Sequence, residues 1–180
     1  MRILGISGSA RRDSHNTKLL RAAAELLPAG VELVEWEGLS ALPIYDEDLE
    51  ADRPETVCDL HDALASADAV LIATPEYNHS IPGGLKNALD WASRPHDQNP
   101  LRNKPALVMG ASTGLFGAVW AQPEARKVLS AVGARVLDAE LPVGMADSAF
   151  DEAGALLDPD LAERLSTCLT ELAGERVMVA

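Results

Sequence analysis

The sequence predicts an α/β fold in which a five-stranded parallel sheet is covered by helices on both faces. Short apolar runs that are typical of buried strands alternate along the chain with segments of helical periodicity. Several of the strand candidates are continuously apolar, which is typical of strands that are buried on both faces. No repeat, linker or low-complexity segment divides the chain, so residues 1–180 are expected to form a single domain.

The first half of the chain contains three strand candidates and two helix candidates. Residues 2–7 (RILGIS) form a short apolar run. Residues 16–27 place leucines and alanines on one helical face before a proline and a glycine end the pattern. Residues 31–36 alternate as a second strand, and a proline opens a second helix over 54–67. Residues 69–74 (AVLIAT) are the clearest buried strand, which the next proline stops.

The second half continues the alternation. A third helix is predicted over residues 82–93, and a fourth strand over 105–112 (PALVMGAS). A Gly-rich turn leads to a helix over 121–133, and residues 134–143 (ARVLDAELPV) are predicted to form one continuous fifth strand. The last helix is predicted over 158–174, with an aspartate as its N-cap and a proline in its first turn.

Three connecting segments are the candidates for a functional site. In parallel sheets covered on both faces, ligands bind beyond the carboxyl ends of the strands, where the strand order reverses. The segments that follow the first, third and fourth strands are residues 8–16 (GSARRDSHN), 75–84 (PEYNHSIPGG) and 111–117 (ASTGLFG). We therefore expect these three loops to carry the chemistry.

The distribution of charge favours a small anionic ligand. The formal net charge is −13, which argues against nucleic acid as a partner. Residues 11–21 nevertheless carry a local balance of +3, whereas residues 32–62 carry −10. A small basic island on an acidic body suits a small anion better than a polymer.

The segment after the first strand has the residue types that bind a phosphate monoester. Ser9, Ser14, Asn16 and Thr17 offer side-chain donors, and Arg11 can hold two phosphate oxygens at once. Free amides at the start of the following helix add further donors. The alternative is an ordinary strand-to-helix turn capped by the serine or the asparagine. Neither G-x-G-x-x-G nor a Walker motif is present, which favours a mononucleotide-type phosphate.

Two motifs together resemble the NADPH-dependent FMN reductase family. GSARRDSHNTKLL has the spacing G-S-x-R-x-x-S-x-N, TPEYNHSIPGGLKNALDWAS is similar to the second hallmark of that family, and LPIYDEDLE is a weaker third match. The likeness covers about residues 2–140. It implies a flavodoxin-like, doubly wound, five-stranded parallel sheet. It also implies non-covalent FMN, NADPH or NADH as co-substrate, and a small acceptor such as a flavin, a quinone or an azo compound.

The segment after the third strand holds an aromatic ring, a carboxylate and an amide between two prolines. The resemblance implies that Pro75, Glu76, Tyr77 and Asn78 line the flavin and tune it through hydrogen bonds. The alternative is a rigid turn in which the tyrosine only packs. His79 is expected at the surface or at a subunit contact rather than as a proton donor.

The segment after the fourth strand has small residues that let a planar ring approach the backbone. The resemblance places Ser112, Thr113 and Gly114 beside the flavin. Many members of the family carry an arginine where this chain has Trp120, which either stacks on a ring or packs against the protein. No side chain is predicted to be catalytic and none to bind metal, because the chemistry belongs to the cofactor.

The expected assembly follows from the same resemblance. In the family, the helix that contains LKNALDW helps to pair subunits, which implies a homodimer or a dimer of dimers. Lys86 and Asp90 stand one helical turn apart, so they either pair with each other or take part in assembly. The acidic residues 45–52 lack the pattern of a calcium loop and are expected to be solvated.

The sequence leaves two other functions open and also indicates a cellular location. The domain is either the proposed reductase, an electron carrier in the manner of flavodoxin, or a flavin-based redox sensor. Cys58 and Cys168 have no CxxC spacing, and the first residues do not resemble a signal peptide, so we expect reduced thiols and a cytoplasmic protein. No apolar run reaches the length of about 20 residues that a membrane span needs.

Overall fold

The structure, a computed structural model, describes residues 1–175 and consists of one parallel sheet with helices on both faces. The strands are β1 Arg2–Ser7, β2 Glu32–Trp36, β3 Ala69–Thr74, β4 Pro105–Ala111, β5 Arg135–Val136 and β6 Pro142–Val143. The helices are α1 His15–Glu25, α2 Glu55–Ala65, α3 Gly83–Ala92, α4 Ala121–Ala131 and α5 Pro159–Gly174. The strand order β2-β1-β3-β4-β5 is the doubly wound, flavodoxin-like order, which confirms the predicted fold class.

The sheet separates two apolar cores because successive side chains of a strand point to opposite faces. In β3, Val70 and Ile72 belong to the core under α2, α3 and α4. Leu71 and Ala73 belong to the core under α1 and α5. All residues of β3 and β4 are buried, as the continuous apolar runs predict.

The last helix begins where the sequence predicts. The Asp158 carboxylate accepts hydrogen bonds from the backbone amides of Asp160 (3.0 Å) and Leu161 (3.2 Å). Pro159 is the first residue of α5, where an amide hydrogen would have no acceptor within the helix.

The prediction of one continuous fifth strand was wrong. β5 and β6 both pair with β4, and so do the Leu137 amide and the Leu141 carbonyl, but residues 138–140 and the Leu141 amide leave the sheet edge. Side chains of α4 take over their backbone groups, since Gln122 Oε1 accepts from the Leu141 amide (2.9 Å) and Arg126 donates to the Ala139 carbonyl (2.8 Å). The local sequence pattern does not reveal these hydrogen bonds, because the side chains that form them lie on a different element, α4.

The acidic segment is largely exposed and contains the short 3-10 turn Glu47–Leu49. At its start the Tyr45 hydroxyl donates to Glu50 (2.5 Å), and this hydrogen bond raises the pKa of Tyr45 to about 12. Within residues 1–175, no three or more His, Cys, Asp or Glu side chains group as metal ligands would.

Two further observations concern the whole described chain. Cys58 and Cys168 are free and partly buried. Across residues 1–175, no helix combines the length and the hydropathy needed to cross a membrane.

His61 is a buried histidine that the fold holds in its neutral form. It is 8% exposed, and its Nδ1 lies 3.2 Å from the Arg53 guanidinium, which can only donate. Nδ1 therefore accepts, and Nε2 carries the hydrogen donated to the Trp91 carbonyl at 2.9 Å. Burial lowers the pKa of His61, an effect that the hydrogen bond to Trp91 opposes.

The titration of His61 predicts a loss of stability in mild acid. Its folded-state pKa lies below the unfolded value of about 6.5, so below that pH the unfolded chain takes up the proton first. We expect the free energy of unfolding in urea to fall from pH 7 to pH 5.5, by at most about 1.4 kcal/mol per pH unit from this group.

The variant His61→Gln should reduce this slope, because the group that titrates is gone. The variant His96→Gln removes an exposed histidine and should leave the slope unchanged. An unaltered slope in His61→Gln would contradict the assignment.

Candidate functional site

The loops after β1 and β3 are held side by side at the carboxyl edge of the sheet. The Gly8 amide donates to the Ala73 carbonyl (2.8 Å), continuing the pairing of β1 with β3. A Cβ atom at Gly8 would lie 3.0 Å from Leu85 Cδ2 and 3.2 Å from Pro75 Cδ. A side chain here would press on Leu85 and Pro75, so the glycine favours close contact between the loops as well as approach to a ligand.

A recess of about 490 Å³ lies beside the loop after β1. It is bordered by Ser9, Arg11, Arg12 and Thr17, among others. The Arg11 guanidinium folds back to donate to the Asp13 carbonyl at 2.9 Å. The Thr17 hydroxyl lies 3.2 Å from the hydroxyl of Ser7, at the end of β1.

Unpaired backbone donors accompany these side chains. Within residues 1–175, the amides of Arg12, Asp13 and Thr17 donate to no acceptor of the protein. They lie in the loop and in the first turn of α1, where the helix dipole also favours an anion. Three carboxylates, those of Asp13, Glu35 and Glu37, border the recess too, and that of Glu35 pairs with Arg21 at 3.1 Å. This donor set fits the phosphate of a mononucleotide cofactor.

Ser14 and Asn16 lie behind the recess rather than on its wall. Ser14 is the N-cap of α1, and its hydroxyl oxygen accepts from the Asn16 amide at 3.1 Å. Asn16 is 2% exposed; its side chain donates to the Ala111 carbonyl (3.0 Å) and accepts from the Ala111 amide (2.9 Å). The side-chain oxygen and one amide hydrogen of Asn16 are thus used within the protein. This gives Asn16 a positioning role, which sequence reasoning missed.

The loop after β3 is a tight two-residue turn. Tyr77 and Ser80 exchange backbone hydrogen bonds of 3.0 and 3.1 Å. The central residues Asn78 and His79 have φ angles of 53° and 60°, as a type I′ turn requires. The turn leaves Tyr77 54% exposed.

Glu76 connects the loop after β3 to the start of α4. Its Oε2 accepts from the backbone amides of Trp120 (2.9 Å) and Ala121 (3.2 Å). The carboxylate thereby lies at the positive end of the helix, where a negative charge is stabilised. Sequence reasoning expected Glu76 to line a flavin and gave no signal for this cap, because its partners lie 44 and 45 positions further along the chain.

The loop after β4 is paired with the segment that follows β6. The Ser112 amide donates to the Val143 carbonyl, and the Ala146 amide donates to the Ser112 carbonyl, both at 3.0 Å. The Met145 amide donates to the Gly114 carbonyl, also at 3.0 Å. Thr113 and Gly114 are exposed. Residues 143–146 therefore support the loop after β4, although no sequence motif marked them.

A second cleft of about 830 Å³ adjoins the recess, and Arg11 borders both. Its walls include Tyr77, Pro82 and Asn87. The Asn87 side chain accepts from the Tyr45 amide and donates to the Pro43 carbonyl, both at 2.8 Å. Residues 112–114 border neither cleft.

Lys86 and Asp90 form an ion pair on α3. The ammonium lies 2.6 and 2.8 Å from the two carboxylate oxygens. Of the two alternatives that the sequence left open, the structure shows the pairing within the helix.

The comparisons with known proteins all indicate one family. Residues 1–148 match the family described as NADPH-dependent FMN reductase. An NAD(P)H-dependent FMN reductase of Pseudomonas aeruginosa is 42% identical over 174 residues, which cover 96% of this chain and 93% of that protein. A 2-hydroxy-1,4-benzoquinone reductase of a Burkholderia species is 36% identical, covering 96% of this chain and 94% of that protein.

A solved structure is similar over nearly the whole chain. It is a flavoenzyme NAD(P)H:(acceptor) oxidoreductase from Paracoccus denitrificans, with a TM-score of 0.85 and 36% sequence identity. The likeness covers 97% of this chain and 96% of that one.

Because the Asn16 side chain pairs with Ala111, we expect its truncation to lower the stability of the protein strongly. The variant Asn16→Ala removes both side-chain hydrogen bonds to the buried backbone of Ala111. We expect it to lower the free energy of unfolding by about 2–4 kcal/mol, measured by urea denaturation.

The neighbouring variant Thr17→Ala is the control, because it removes a single bond to the Ser7 hydroxyl. It should cost less than about 1.5 kcal/mol. Equal effects of the two variants would contradict the positioning role of Asn16.

Proposed function

The chain belongs to the family of NADPH-dependent FMN reductases, and from this membership we propose that the recess after β1 holds the phosphate of FMN. The observation that carries the proposal is the set of unpaired amides next to two arginines. Ser9, Arg11 and Thr17 contact the phosphate from the wall of the recess. Ser14 and Asn16 act from behind it, by fixing the start of α1.

The protein is an FMN-dependent oxidoreductase that carries electrons from NAD(P)H to a small acceptor. The bound flavin supplies the redox chemistry, since no protein side chain undergoes it. The task of the chain is therefore to bind the cofactor, to orient it and to leave room for the two substrates in turn.

We assign the ring of FMN to the loops after β3 and β4. Within the described residues, the amides of Asn78 and His79 donate to no acceptor of the protein and are available for the edge of a polar ring. Pro75 and Tyr77 flank them, and Glu76 fixes the loop to α4. The adjoining segment Ser112, Thr113 and Gly114 offers backbone without large side chains.

We further propose a homodimer or a dimer of dimers, located in the cytoplasm. The wall of the second cleft carries Ile44, which is 86% exposed, opposite Tyr77 and the start of α3. Ile44 and Tyr77 provide exposed apolar surface beside the site that a second copy of the chain would cover. The two free cysteines favour a reducing compartment.

The phosphate assignment predicts that Arg11→Ala binds FMN more weakly. Loss of a charged hydrogen bond costs about 1.5–3 kcal/mol, which corresponds to a dissociation constant raised about tenfold to a hundredfold. Quenching of flavin fluorescence on titration with the FMN-free protein measures it.

The matched control is Arg102→Ala, which removes an exposed arginine whose guanidinium donates to the His96 carbonyl. It lies away from the recess and should leave the affinity unchanged within about twofold. An unchanged affinity in Arg11→Ala would contradict the assignment.

Turnover by the purified protein separates the reductase from the two alternatives. We expect a yellow protein that anaerobic NADPH bleaches, that oxidises NADPH steadily when a quinone is present, and that sediments as a dimer or tetramer of the 19.1 kDa chain. A yellow monomer without turnover would favour an electron carrier. Slow turnover together with a partner that binds only when flavin is bound would favour a redox sensor. A colourless protein that does not take up added FMN would contradict all three.

A further inference from the structure

The recess after β1 is larger than a phosphate requires. Its volume of about 490 Å³ lies within the range of about 300–1,000 Å³ that is typical of pockets for whole small molecules. The unpaired amides assigned to the phosphate belong to the loop after β1 and to the first turn of α1. The recess continues from there along Trp36, Glu37, Leu39 and Ser40, which we refer to as its β2 side. A second chemical group therefore has room beside the phosphate.

The rim of the β2 side carries polar groups that the protein does not use. Glu37 directly follows β2 and is exposed, and within residues 1–175 its carboxylate has neither a hydrogen bond nor an ion pair. The exposed hydroxyl of Ser40 has no hydrogen-bond partner in that part of the chain either. In dinucleotide-binding folds of the doubly wound class, a carboxylate that follows the first βα turn accepts a hydrogen bond from a ribose hydroxyl. Because β2 is the neighbour of β1 in the sheet, Glu37 is placed for the same role.

The wall beneath this rim is apolar and fixed. Trp36 is 7% and Leu39 is 9% exposed, and both belong to the core under α2, α3 and α4. Trp36 Nε1 donates to the Asp59 carboxylate at 2.8 Å. The ring also packs so closely on Gly38 that a Cβ atom there would lie 2.4 Å from it. The β2 side thus combines a rigid apolar wall with a hydrogen-bond acceptor, which are the groups that bind the base and the ribose of a nucleoside.

The charges of the recess suit a ligand that combines phosphates with hydroxyl groups. Three arginines and three carboxylates border it, and one arginine pairs with one carboxylate as described above. Within residues 1–175, the Arg12 side chain has no hydrogen-bond or ion-pair partner, and the Arg11 guanidinium donates only to a backbone carbonyl. Two arginines are therefore available for two phosphates. The free carboxylate of Glu37 repels a further anion but attracts the hydrogen of a hydroxyl group.

We propose that the recess accepts FAD as well as FMN, with the AMP half of FAD on the β2 side. Arg12 binds the second phosphate, and Glu37 accepts hydrogen bonds from the ribose hydroxyls. This inference rests on the proposed function, since it extends the site assigned to the phosphate of FMN. Both cofactors carry the same redox-active ring, so the residues of the β2 side affect which flavin is bound and not the reaction that it performs.

Calorimetric titration of the FMN-free protein with each flavin tests the proposal directly. We expect the dissociation constant for FAD to lie within about tenfold of that for FMN, because the AMP half adds contacts that offset the cost of ordering a larger ligand. An FAD affinity more than tenfold below that for FMN would overturn the proposal.

The variant Glu37→Ala gives a result whose sign is diagnostic. Loss of hydrogen bonds to a charged acceptor should raise the dissociation constant for FAD about tenfold, and that for FMN should stay within about twofold. Since the variant removes a negative charge, a carboxylate that only repelled phosphates would give tighter binding of FAD. An unchanged or higher FAD affinity would therefore contradict the role of Glu37.

The two arginines should separate in the same titrations. Arg12→Ala is expected to weaken FAD at least about fivefold more than FMN, because FMN has no second phosphate for this side chain. Arg11→Ala should weaken both flavins to a similar extent. Equal effects of Arg12→Ala on the two flavins would count against the assignment of Arg12.

Glu32→Ala is the matched control for Glu37→Ala. Glu32 is an exposed glutamate on the same strand, but it lies at the opposite end of β2, away from the recess. Its removal changes the net charge in the same way and should leave both affinities within about twofold. A loss of FAD affinity in Glu32→Ala equal to that in Glu37→Ala would show an effect of net charge and would overturn the local role.

Further readouts distinguish the possible occupants and the two proposals. The adenosine of NAD(P)H is the other nucleoside available to the β2 side. In the FMN-loaded Glu37→Ala variant, KM for NADPH and for NADH should equal the parent values. A raised KM for either would overturn the assignment to FAD in favour of the pyridine nucleotide. A parent protein that binds FMN but not FAD would overturn this inference alone, whereas one that binds neither flavin would overturn the proposed function.

Discussion

The reciprocal pairing of the Asn16 side chain with the backbone of Ala111 is the interaction on which the site depends. It spans 95 positions and ties the start of α1 to the end of β4, inside the protein. Parallel pairing alone brings three loops to one edge of the sheet, but it does not fix the helix that carries the unpaired amides. Asn16 does so at 2% exposure, so this link lies inside the protein.

Several conspicuous polar side chains of the site hold the protein together rather than face a ligand. Glu76 caps α4, Asn87 holds the segment at Tyr45, and Gln122 accepts from the Leu141 amide. Within residues 1–175, the groups without a protein partner at the recess are the backbone amides of Arg12, Asp13 and Thr17. Such a division of roles suits an enzyme whose redox chemistry belongs to a cofactor, because the protein needs rigid donors more than reactive side chains.

The two ends of the site differ in chemistry. The end after β1 is polar and is bordered by three arginines and three carboxylates. The end between the loops after β3 and β4 is aromatic and largely uncharged. In the proposed assignment, the phosphate of FMN lies at the first end and its ring at the second.

The sequence by itself determined the alternation of strands and helices, the doubly wound fold, the three loops and the family, because local apolar patterns and short-range motifs encode them. Tertiary structure decided the roles of single side chains. Asn16 and Glu76 stand in motifs that suggest ligand contacts, yet their partners come from β4 and α4. The break in the fifth strand depends likewise on Gln122 and Arg126. Such contacts join residues far apart in the chain, and only the packed sheet brings them within hydrogen-bond distance.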